Sequence, residues 1–567
     1  MLVHRKQQGP KLDKPNRFNL GGLIKRKISW KRSIDGSMGS LDSFAPPQHK
    51  LPDQQPSPAT HNHYYTVDCH HDASSAPHYS LTAANGHYTH LSPAHDTYCS
   101  TAECISLQNS DITSHHGDDD DDGKIDEFDS LCKVDDFNNL AEPLVDESPS
   151  FDPKNEENIS EYKIGGYCPI KIGDHFCSDK CRYKVLRKLG WGHFSTVWLA
   201  ISSVGSYVAL KVVKSGKNYS EAAIDEIKIL KTLQKGKTSS VDSVVSLLDS
   251  FEVTTPSGTH VAMVFELMGE NMLHLIYKKK AERYSLKMIQ QPLPPAVVPL
   301  HMAKSIILQL LQSVDYMHRN GVIHTDIKPE NVLMTYEGSI PDSVRAAKPT
   351  PTFRILPSRP LAMSLEEMCS CPMRVKIADL GNATYSKNHF SDYIQTRQYR
   401  SPEILLKHKT WGASADVWSI GCLIFELITG DFLFDPHDGA TFTKDEDHMA
   451  QIIELLGEFP SVKYLSNCSR ATELFSTPTT LRNIRSLKYW SLEDVLIEKY
   501  KFSPDDENVI LIGDLIRKCL KYDLDDRYDC ASLMKHPWFS SNPQWDEAAL
   551  RALPNNNTEI PGFTHEE

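Results

Sequence analysis

Apolar and polar positions follow two different periods along this chain of 567 residues. Alternation with a period of two, or a short apolar run, predicts β-strands over residues 183–189, 196–200, 207–213 and 261–267. Apolar residues spaced three and four apart predict helices over residues 220–233, 301–319, 414–429, 447–456 and 509–520. Strands followed by helices predict an α+β protein, in which a small antiparallel β lobe with one helix precedes a large, mainly helical lobe.

Two segments show neither period. Residues 1–160 are rich in His, Ser, Pro, Asp and Asn, and they contain a run of aspartates at 118–122. A segment of this composition buries too little apolar surface to offset the entropy of the chain, so we predict a disordered tail. Residues 335–373 interrupt the helical lobe with Pro, Ser and Arg, and we predict that they form a flexible spacer.

The formal net charge of −13 argues against broad nucleic-acid binding, which needs a cationic face, but it permits basic protein partners. The sequence contains no apolar run of roughly 18 residues, the length that a bilayer span needs. Its polar start lacks a secretory apolar segment. We therefore expect a soluble intracellular monomer with no direct nucleic-acid or membrane partner. A basic cluster at residues 25–27 leaves nuclear import open, so we expect cytoplasm and nucleus.

A glycine-rich turn between the first two predicted strands is the first candidate for nucleotide chemistry. Its residues are Leu189, Gly190, Trp191, Gly192, His193, Phe194, Ser195, Thr196 and Val197. The two glycines allow backbone N–H groups to approach phosphate oxygens without a clash from Cβ. Lys211 follows on a strand, where its ammonium group can neutralise the α- and β-phosphates of ATP. A lysine in an apolar strand needs a counter-charge; Glu226 is the natural partner, with Glu221 and Asp225 as competitors.

Residues 323–331 form a candidate catalytic loop. Asp326 would orient the substrate hydroxyl and accept its proton, and Lys328 would stabilise the charge of the γ-phosphate. Asn331 and, farther along the chain, Asp379 supply the hard oxygen ligands that suit Mg²⁺. Each motif alone is weak. Together, in this order and spacing, the glycine-rich turn, the lysine, the catalytic loop and the second carboxylate predict phosphoryl transfer from ATP.

Residues 183–539 resemble the eukaryotic protein kinases, on these four motifs and on the run Tyr-Arg-Ser-Pro-Glu at 399–403. Finer details resemble the SR-protein kinases: the glycine-rich turn at 190–199, His-Thr-Asp at 324–326, and the runs at 379–383 and 394–400. Residues 165–174 also resemble the segment that leads into the kinase domain of that family. The resemblance implies the bilobal protein kinase fold and a serine/threonine kinase that uses ATP and Mg²⁺. The substrates that it implies are serines in arginine/serine-rich segments of SR splicing factors.

The same resemblance implies further site residues. Adenine would lie against Val197 and Ala209, while Glu266 would offer its backbone carbonyl and Met268 its N–H. Arginine-rich substrates would dock in an acidic groove, whose positions correspond to Asp431, Asp447, Glu454 and Lys499.

Thr325 stands where many kinases have an arginine that grips an activation-loop phosphate. Without that arginine, a phosphate on the loop has no guanidinium group to bind it through two hydrogen bonds and so to order the loop. We therefore predict constitutive activity. The resemblance also implies that Glu403 pairs with Arg527 and that Asp416 braces the catalytic loop.

The implied organisation is a tail at 1–160, a lead-in segment at 161–182, a small lobe at 183–268, a large lobe at 269–539 that includes the spacer, and a C-terminal tail at 540–567. Two rival functions remain. One is a dual-specificity kinase similar to the CLK and DYRK kinases, which phosphotyrosine products would reveal. The other is a pseudokinase scaffold that only docks basic segments; the intact residues Lys211, Asp326, Asn331 and Asp379 argue against it.

Overall fold

The computed structural model describes residues 156–235, 242–369, 373–540 and 546–565. The predicted disordered tail, apart from residues 156–160, therefore lies outside the described residues. Within them, a small lobe of strands with one helix precedes a larger lobe of helices, which confirms the predicted α+β class and the bilobal arrangement.

The small lobe is built on one six-stranded antiparallel sheet. Its strands are β1 (His175–Cys177), β2 (Arg182–Trp191), β3 (Ser195–Ser202), β4 (Tyr207–Val213), β5 (Leu247–Thr255) and β6 (Gly258–Glu266). Their spatial order is β1-β2-β3-β4-β6-β5. The helix α1 (Lys217–Lys235) follows β4 in the chain and packs against the sheet and against the segment after β10 introduced below.

The side chains of β4 point alternately into the core of the small lobe and to the face that contains the candidate site residues. Val208, Leu210 and Val212 are almost fully buried in the core of the sheet. Lys211 points to the other face, as the period of two requires, and it lies opposite Val197 in the register of β3 and β4. The strand pattern of the sequence thus decides which side chains of β4 are available to a ligand.

The large lobe contains short strands near its junction with the small lobe and helices beyond it. The strands are β7 (Met268–Asn271), β8 (Val322–Ile323), β9 (Val332–Thr335), β10 (Val375–Ile377), β11 (Thr384–Tyr385), β12 (Phe475–Thr477) and β13 (Thr480–Leu481). The longer helices are α2 (Met272–Met288) and α3 (Leu300–Arg319), followed by the short helices α4 (Asp342–Arg345), α5 (Leu365–Cys369) and α6 (Pro402–Leu405). Farther along are α7 (Ser414–Thr429), α8 (Lys444–Leu456), α9 (Val462–Leu465), α10 (Ala471–Leu474), α11 (Leu492–Asp494), α12 (Glu507–Cys519), α13 (Cys530–Leu533) and α14 (Glu547–Arg551).

Single helical turns connect these elements. Turns of 3₁₀ type lie at Ile159–Glu161, Pro329–Asn331, Leu380–Asn382, Arg397–Tyr399, Pro537–Phe539 and Asn557–Glu559, and a π-type turn lies at Val495–Lys499. Of the helices in the described ranges, none is long and apolar enough to cross a membrane.

Helix α7 forms the centre of the large lobe. Every one of its residues is buried, and it packs against α3 and α12. The helix ends at Gly430, whose φ of +77° is the left-handed conformation that commonly terminates helices and that glycine adopts without steric cost. A helix that is buried on all sides provides a fixed base for the loops that it contacts.

The predicted flexible spacer packs against the small lobe where the structure describes it. Its side chains Ile340, Val344 and Leu361 join Leu186 and Leu199 of the sheet in one buried apolar cluster. The backbone N–H of residue 359 also donates to the carbonyl of residue 188 in β2, at 3.0 Å. Composition predicts flexibility because few apolar residues stand among the Pro and Ser residues. The structure shows that those few are buried, whereas flexibility itself stays a prediction.

The described part of the C-terminal tail lies against the large lobe. Ala413 and Ser414, at the start of α7, donate backbone hydrogen bonds to the carbonyls of Gly562 and Phe563, at 2.9 and 2.8 Å. The first N–H groups of a helix have no partner within the helix, so these carbonyls satisfy donors that would otherwise be buried unpaired.

Candidate active site

Lys211 is the centre of an ion-paired cluster that joins the two lobes. Its ammonium nitrogen lies 2.9 and 3.0 Å from the carboxylate oxygens of Glu226 in α1, and 3.2 Å from Oδ1 of Asp379. The competitors Glu221 and Asp225 instead pair with lysines of their own helix. The structure therefore places Lys211 and Glu226 together, as the counter-charge argument expects.

Lys211 and Asp379 each favour the charged form of the other, whereas burial raises the pKa of Glu226. Burial alone would lower the pKa of Lys211, but the carboxylates of Glu226 and Asp379 outweigh burial and raise it. Lys211 in turn lowers the pKa of Asp379 by more than burial raises it. Both groups are therefore charged near neutral pH. The Asp379 side chain is 52% exposed, so its carboxylate remains accessible to a ligand.

Asn331 and Asp379 approach each other because β9 and β10 are paired antiparallel strands. Asn331 directly precedes β9 and Asp379 follows β10 by two residues. The N–H of Ala378 donates to the carbonyl of Asn331 at 2.9 Å, which places both residues at the same end of the strand pair. The side-chain nitrogen of Asn331 donates to the backbone carbonyl of Asp326, at 2.9 Å. A carboxylate and an amide oxygen are hard ligands, so this pair of residues fits Mg²⁺.

Asp326 lies at the centre of the catalytic loop and is 8% exposed. Its Oδ2 accepts a hydrogen bond from Lys328 at 2.8 Å, and its Oδ1 accepts one from the hydroxyl of Thr396 at 2.6 Å. Lys328 also donates to the Thr396 hydroxyl at 3.0 Å. Each carboxylate oxygen is thus held by a hydrogen bond, which fixes the orientation of the Asp326 side chain.

The backbone of the catalytic loop is fixed from below by Asp416, a fully buried residue of α7. Its two carboxylate oxygens accept hydrogen bonds from the backbone N–H groups of His324 and Thr325, both at 2.8 Å. His318 also contacts the carboxylate, at 2.9 Å. Thr325 has φ +67°, a strained conformation for a threonine that these contacts maintain. The bracing role implied for Asp416 corresponds to this geometry.

The glycine-rich turn is the exposed hairpin between β2 and β3. A Cβ added to Gly190 or Gly192 would meet no described atom within 4 Å, so packing inside the protein does not require glycine there. A ligand that approaches the backbone would require it. Leu189 and Val197 are half-buried and Ser195 is buried, whereas the side chains between them, Trp191, His193 and Phe194, are exposed.

The segment between the lobes contains the positions expected to contact adenine. Ala209 is paired with the residue before Glu266 in the register of β4 and β6. Glu266 ends β6, and Met268, 9% exposed, begins β7. The carboxylate of Glu266 forms an ion pair with Lys376 at 2.8 Å, and its backbone N–H donates to the carbonyl of Ser246 at 3.1 Å.

The activation segment, residues 379–403, is held in place by hydrogen bonds of buried, uncharged side chains. The side-chain nitrogen of Gln395 donates to Ala415 and Ser419, while its oxygen accepts from Ser401. The hydroxyl of Thr325 donates to a backbone carbonyl of the same segment, that of residue 382, at 2.7 Å.

At its end, the activation segment is tied to the large lobe by a buried ion pair. Glu403 lies 2.7 Å from Arg527, as expected, and both side chains are fully buried. The start, the middle and the end of the segment each have a fixed attachment.

The four proposed docking residues occupy different environments. Asp431 already forms ion pairs with Lys280 at 3.3 Å and with Lys499 at 3.1 Å, so two of the four positions neutralise each other. Asp447 and Glu454 are half-buried on α8, seven residues apart along one helix face. Oδ2 of Asp447 accepts hydrogen bonds from His437 and Gln451, and Oε1 of Glu454 accepts one from Lys488.

Sequence patterns assign no role to Gln395, Thr396 or Lys280, although each contacts a proposed site residue or fixes the activation segment. Gln395 and Thr396 lie in the run at 394–400, which carries part of the family resemblance. The contact between Lys280 and Asp431 joins residues 151 positions apart, so no local pattern could indicate it.

Comparison with known proteins agrees with this geometry. Residues 183–539 match the protein kinase domain family. The chain is 37% identical to "Protein kinase dsk1" of Schizosaccharomyces pombe, over 68% of this chain and 85% of that protein. It is 38% identical to "Serine/threonine-protein kinase SRPK" of Physarum polycephalum, over 68% of this chain and 92% of that protein. It is 30% identical to "SRSF protein kinase 3" of Homo sapiens, over 69% and 91% respectively.

The chain belongs to the SR-protein kinase family. It is therefore a protein serine/threonine kinase, and the kinase domain implies use of ATP and, as is usual for such domains, of Mg²⁺. The rival functions that lie outside this family are not favoured.

Proposed function

We propose that this SR-protein kinase transfers the γ-phosphate of ATP to serines in arginine/serine-rich segments of SR splicing factors and similar proteins. The name of the human relative, "SRSF protein kinase 3", supports this class of substrate. The observation that carries the proposal is the carboxylate of Asp326, held between Lys328 and Thr396 beside the residues suited to Mg²⁺.

In the proposed reaction, Asp326 orients the serine hydroxyl and accepts its proton as the phosphoryl group is transferred. Lys328, 2.8 Å from that carboxylate, stabilises the charge on the γ-phosphate. Lys211, positioned by Glu226, holds the α- and β-phosphates. When Mg²⁺ is bound, it supplies positive charge that offsets the charge of the phosphates.

The metal and the nucleotide have separate sets of protein contacts. Asn331 and Asp379 would hold Mg²⁺, because they offer hard oxygen ligands at one end of the β9–β10 hairpin. The glycine-rich turn would cover the phosphates, and adenine would lie against Val197 and Ala209. The backbone carbonyl of Glu266 and the N–H of Met268 would complete the adenine contacts.

We further propose that arginine-rich substrates dock on the acidic face of α8. Asp447 and Glu454 lie two helical turns apart, so both can face one groove and attract guanidinium groups, and added salt weakens such an attraction. Asp431 belongs to the same region. Burial would raise its pKa, but Lys499 and Lys280 lower it, so it is ionised and its charge is shared with two lysines.

The kinase is proposed to be constitutively active. The contacts of Gln395, Thr325 and Glu403 fix the activation segment through neutral or ion-paired side chains of the protein itself. We also propose that the kinase acts as a monomer in the cytoplasm and in the nucleus, for which the basic residues 25–27 offer an import signal.

The test is transfer of labelled phosphate to an arginine-serine repeat peptide, compared with a serine-proline peptide. We expect the first to be the better substrate and phosphoserine to be the product. Asp326→Asn should lower kcat by about 10²- to 10⁴-fold with little change in folding, because it removes the proton acceptor alone. Equal rates on both peptides, phosphotyrosine as a main product, or full activity of the variant would each refute the assignment.

A further inference from the structure

The tip of the glycine-rich turn is held from outside by the lead-in segment, residues 161–182. The hydroxyl of Tyr167 donates to the backbone carbonyl of Gly192, with an oxygen–oxygen distance of 2.6 Å. Tyr167 is 2% exposed, so this contact is shielded from water on the tyrosine side. Burial raises the pKa of Tyr167, so the phenol stays protonated and can only act as the donor to this carbonyl.

This contact constrains the direction of a backbone N–H group. In a trans peptide, the carbonyl of one residue and the N–H of the next point in opposite directions. When the Gly192 carbonyl is held toward Tyr167, the N–H of His193 faces the other side of the turn. Backbone N–H groups are what a glycine-rich turn offers to phosphate oxygens, so the orientation of this peptide matters for nucleotide binding.

The segment that carries Tyr167 is itself fixed to the start of α1. The N–H groups of Ser215 and Gly216 donate to the carbonyls of Gly166 and Gly165, at 3.0 and 3.1 Å. A Cβ at Gly166 would lie 1.8 Å from the carbonyl oxygen of Glu161, so only glycine allows this path of the chain. The lead-in segment therefore contacts both the glycine-rich turn and the helix that carries the partner of Lys211.

Lys214 contacts both the glycine-rich turn and the lead-in segment. Its backbone N–H donates to the carbonyl of Phe194 in the turn at 2.9 Å, and its ammonium nitrogen lies 4.3 Å from the centre of the Tyr167 ring. It also forms an ion pair with Glu161, at 3.1 Å. The aromatic ring of Tyr167 is thus fixed by a cation on one side, and its hydroxyl is aimed at Gly192.

We propose that Tyr167 is a positioning residue of the nucleotide site, whose hydroxyl holds the glycine-rich turn so that the N–H of His193 is presented to the phosphates of ATP. This inference rests on the proposed role of the turn in ATP binding. It assigns a function to the lead-in segment, which lies before the matched kinase domain at residues 183–539.

The test is Tyr167→Phe in the full-length protein, because this change removes the hydroxyl and keeps the ring. Loss of one neutral hydrogen bond should raise the KM for ATP and the dissociation constant of Mg·ATP by about 3- to 10-fold. The KM for the arginine-serine peptide should stay the same. Hydrogen exchange of the backbone amides at residues 190–195 should become faster.

Tyr162→Phe is the matched control. Tyr162 lies in the same segment, and its hydroxyl donates to Glu157 at 2.5 Å rather than to the turn. The control should lose a similar amount of stability and keep the KM for ATP.

A Tyr167→Phe protein with an unchanged KM for ATP, or a control with the same increase, would overturn the inference. If the wild-type protein bound no Mg·ATP, the proposed function itself would fail, so the two failures are distinguishable.

Discussion

The catalytic loop and the glycine-rich turn are held in different ways. The catalytic loop is held by one buried carboxylate of the large lobe, that of Asp416, which accepts two backbone hydrogen bonds from the loop. The glycine-rich turn projects from the end of β2 and β3 with exposed side chains such as Trp191 and Phe194. Its tip is held by hydrogen bonds of the backbone and of the Tyr167 hydroxyl rather than by a buried carboxylate. The difference suits the two tasks proposed above, in which the loop aims one carboxylate and the turn admits and releases a nucleotide.

The largest expected effect of a substitution lies in the large lobe, at the buried ion pair that ends the activation segment. Arg527→Met removes the guanidinium that binds Glu403 at 2.7 and 3.0 Å and leaves that buried carboxylate without its partner. Breaking a buried ion pair in this way costs about 3–5 kcal/mol in the free energy of unfolding. Urea denaturation of the variant and the wild type measures this difference.

Trp191→Ala is the control from the other region. Because Trp191 is exposed at the glycine-rich turn, its replacement should change the free energy of unfolding by no more than about 0.5 kcal/mol. If Arg527→Met lowered the free energy of unfolding by less than Trp191→Ala does, the contrast between the two regions would not hold.

A smaller effect is expected at Gln395, which attaches the activation segment to α7. Gln395→Ala leaves the carbonyl of Ala415 and the N–H of Ser401 without their side-chain partner, at a cost of about 1–3 kcal/mol for a buried group left unpaired. We expect kcat to fall by about tenfold, since a tenfold change corresponds to about 1.4 kcal/mol.

Turnover after phosphatase treatment tests constitutive activity. Wild-type protein treated with a phosphatase should keep its turnover, because the contacts of Gln395 need no phosphate. Lys409→Ala, at an exposed position after the segment, serves as the control and should behave as the wild type. A wild-type protein that lost its turnover on phosphatase treatment would contradict the proposal.

Sequence patterns predicted the elements whose apolar period is strong and missed those whose period is weak. The predicted bounds of β4 and α7 agree with the structure. Strand β5 and helix α2 were not predicted, and α2 shows why: of its 17 residues only Met272, Leu275 and Ile276 are buried, so no apolar stripe runs along the helix. An apolar period indicates a helix only where one face of the helix is buried along its whole length.

For the candidate site, the residues within motifs were predicted and the partners between motifs were not. The spacing of Lys211, Asp326 and Asp379 is visible in the sequence. The hydrogen bond from Thr396 to Asp326 joins residues 70 positions apart, and it depends on how the activation segment folds back over the loop. Contacts of that kind follow from tertiary packing, which a local period does not contain.

The last expected effect concerns pH and also lies in the support of the activation segment. Glu426 of α7 is 3% exposed and accepts a hydrogen bond from the hydroxyl of Tyr399. Burial, together with the nearby carboxylates of Glu330 and Asp431, raises the pKa of Glu426 from 4.5 to about 8. Near neutral pH the folded protein therefore holds a proton on Glu426 that the unfolded chain has released.

Because the folded state binds more protons in this range, the free energy of unfolding should fall as pH rises from about 4.5 to about 8. Glu426→Gln keeps the shape and the acceptor for Tyr399 but does not titrate, so it should remove this part of the fall. Urea midpoints measured across the range provide the comparison, with Glu252→Gln at an exposed position of β5 as the control that keeps the wild-type slope. Equal slopes for wild type and Glu426→Gln would show that Glu426 is ionised in the fold. The activation segment would then be supported by a buried negative charge at Glu426. The described residues of the glycine-rich turn, whose side chains at the tip are exposed, include no such buried charge, so the contrast between the two regions would be larger.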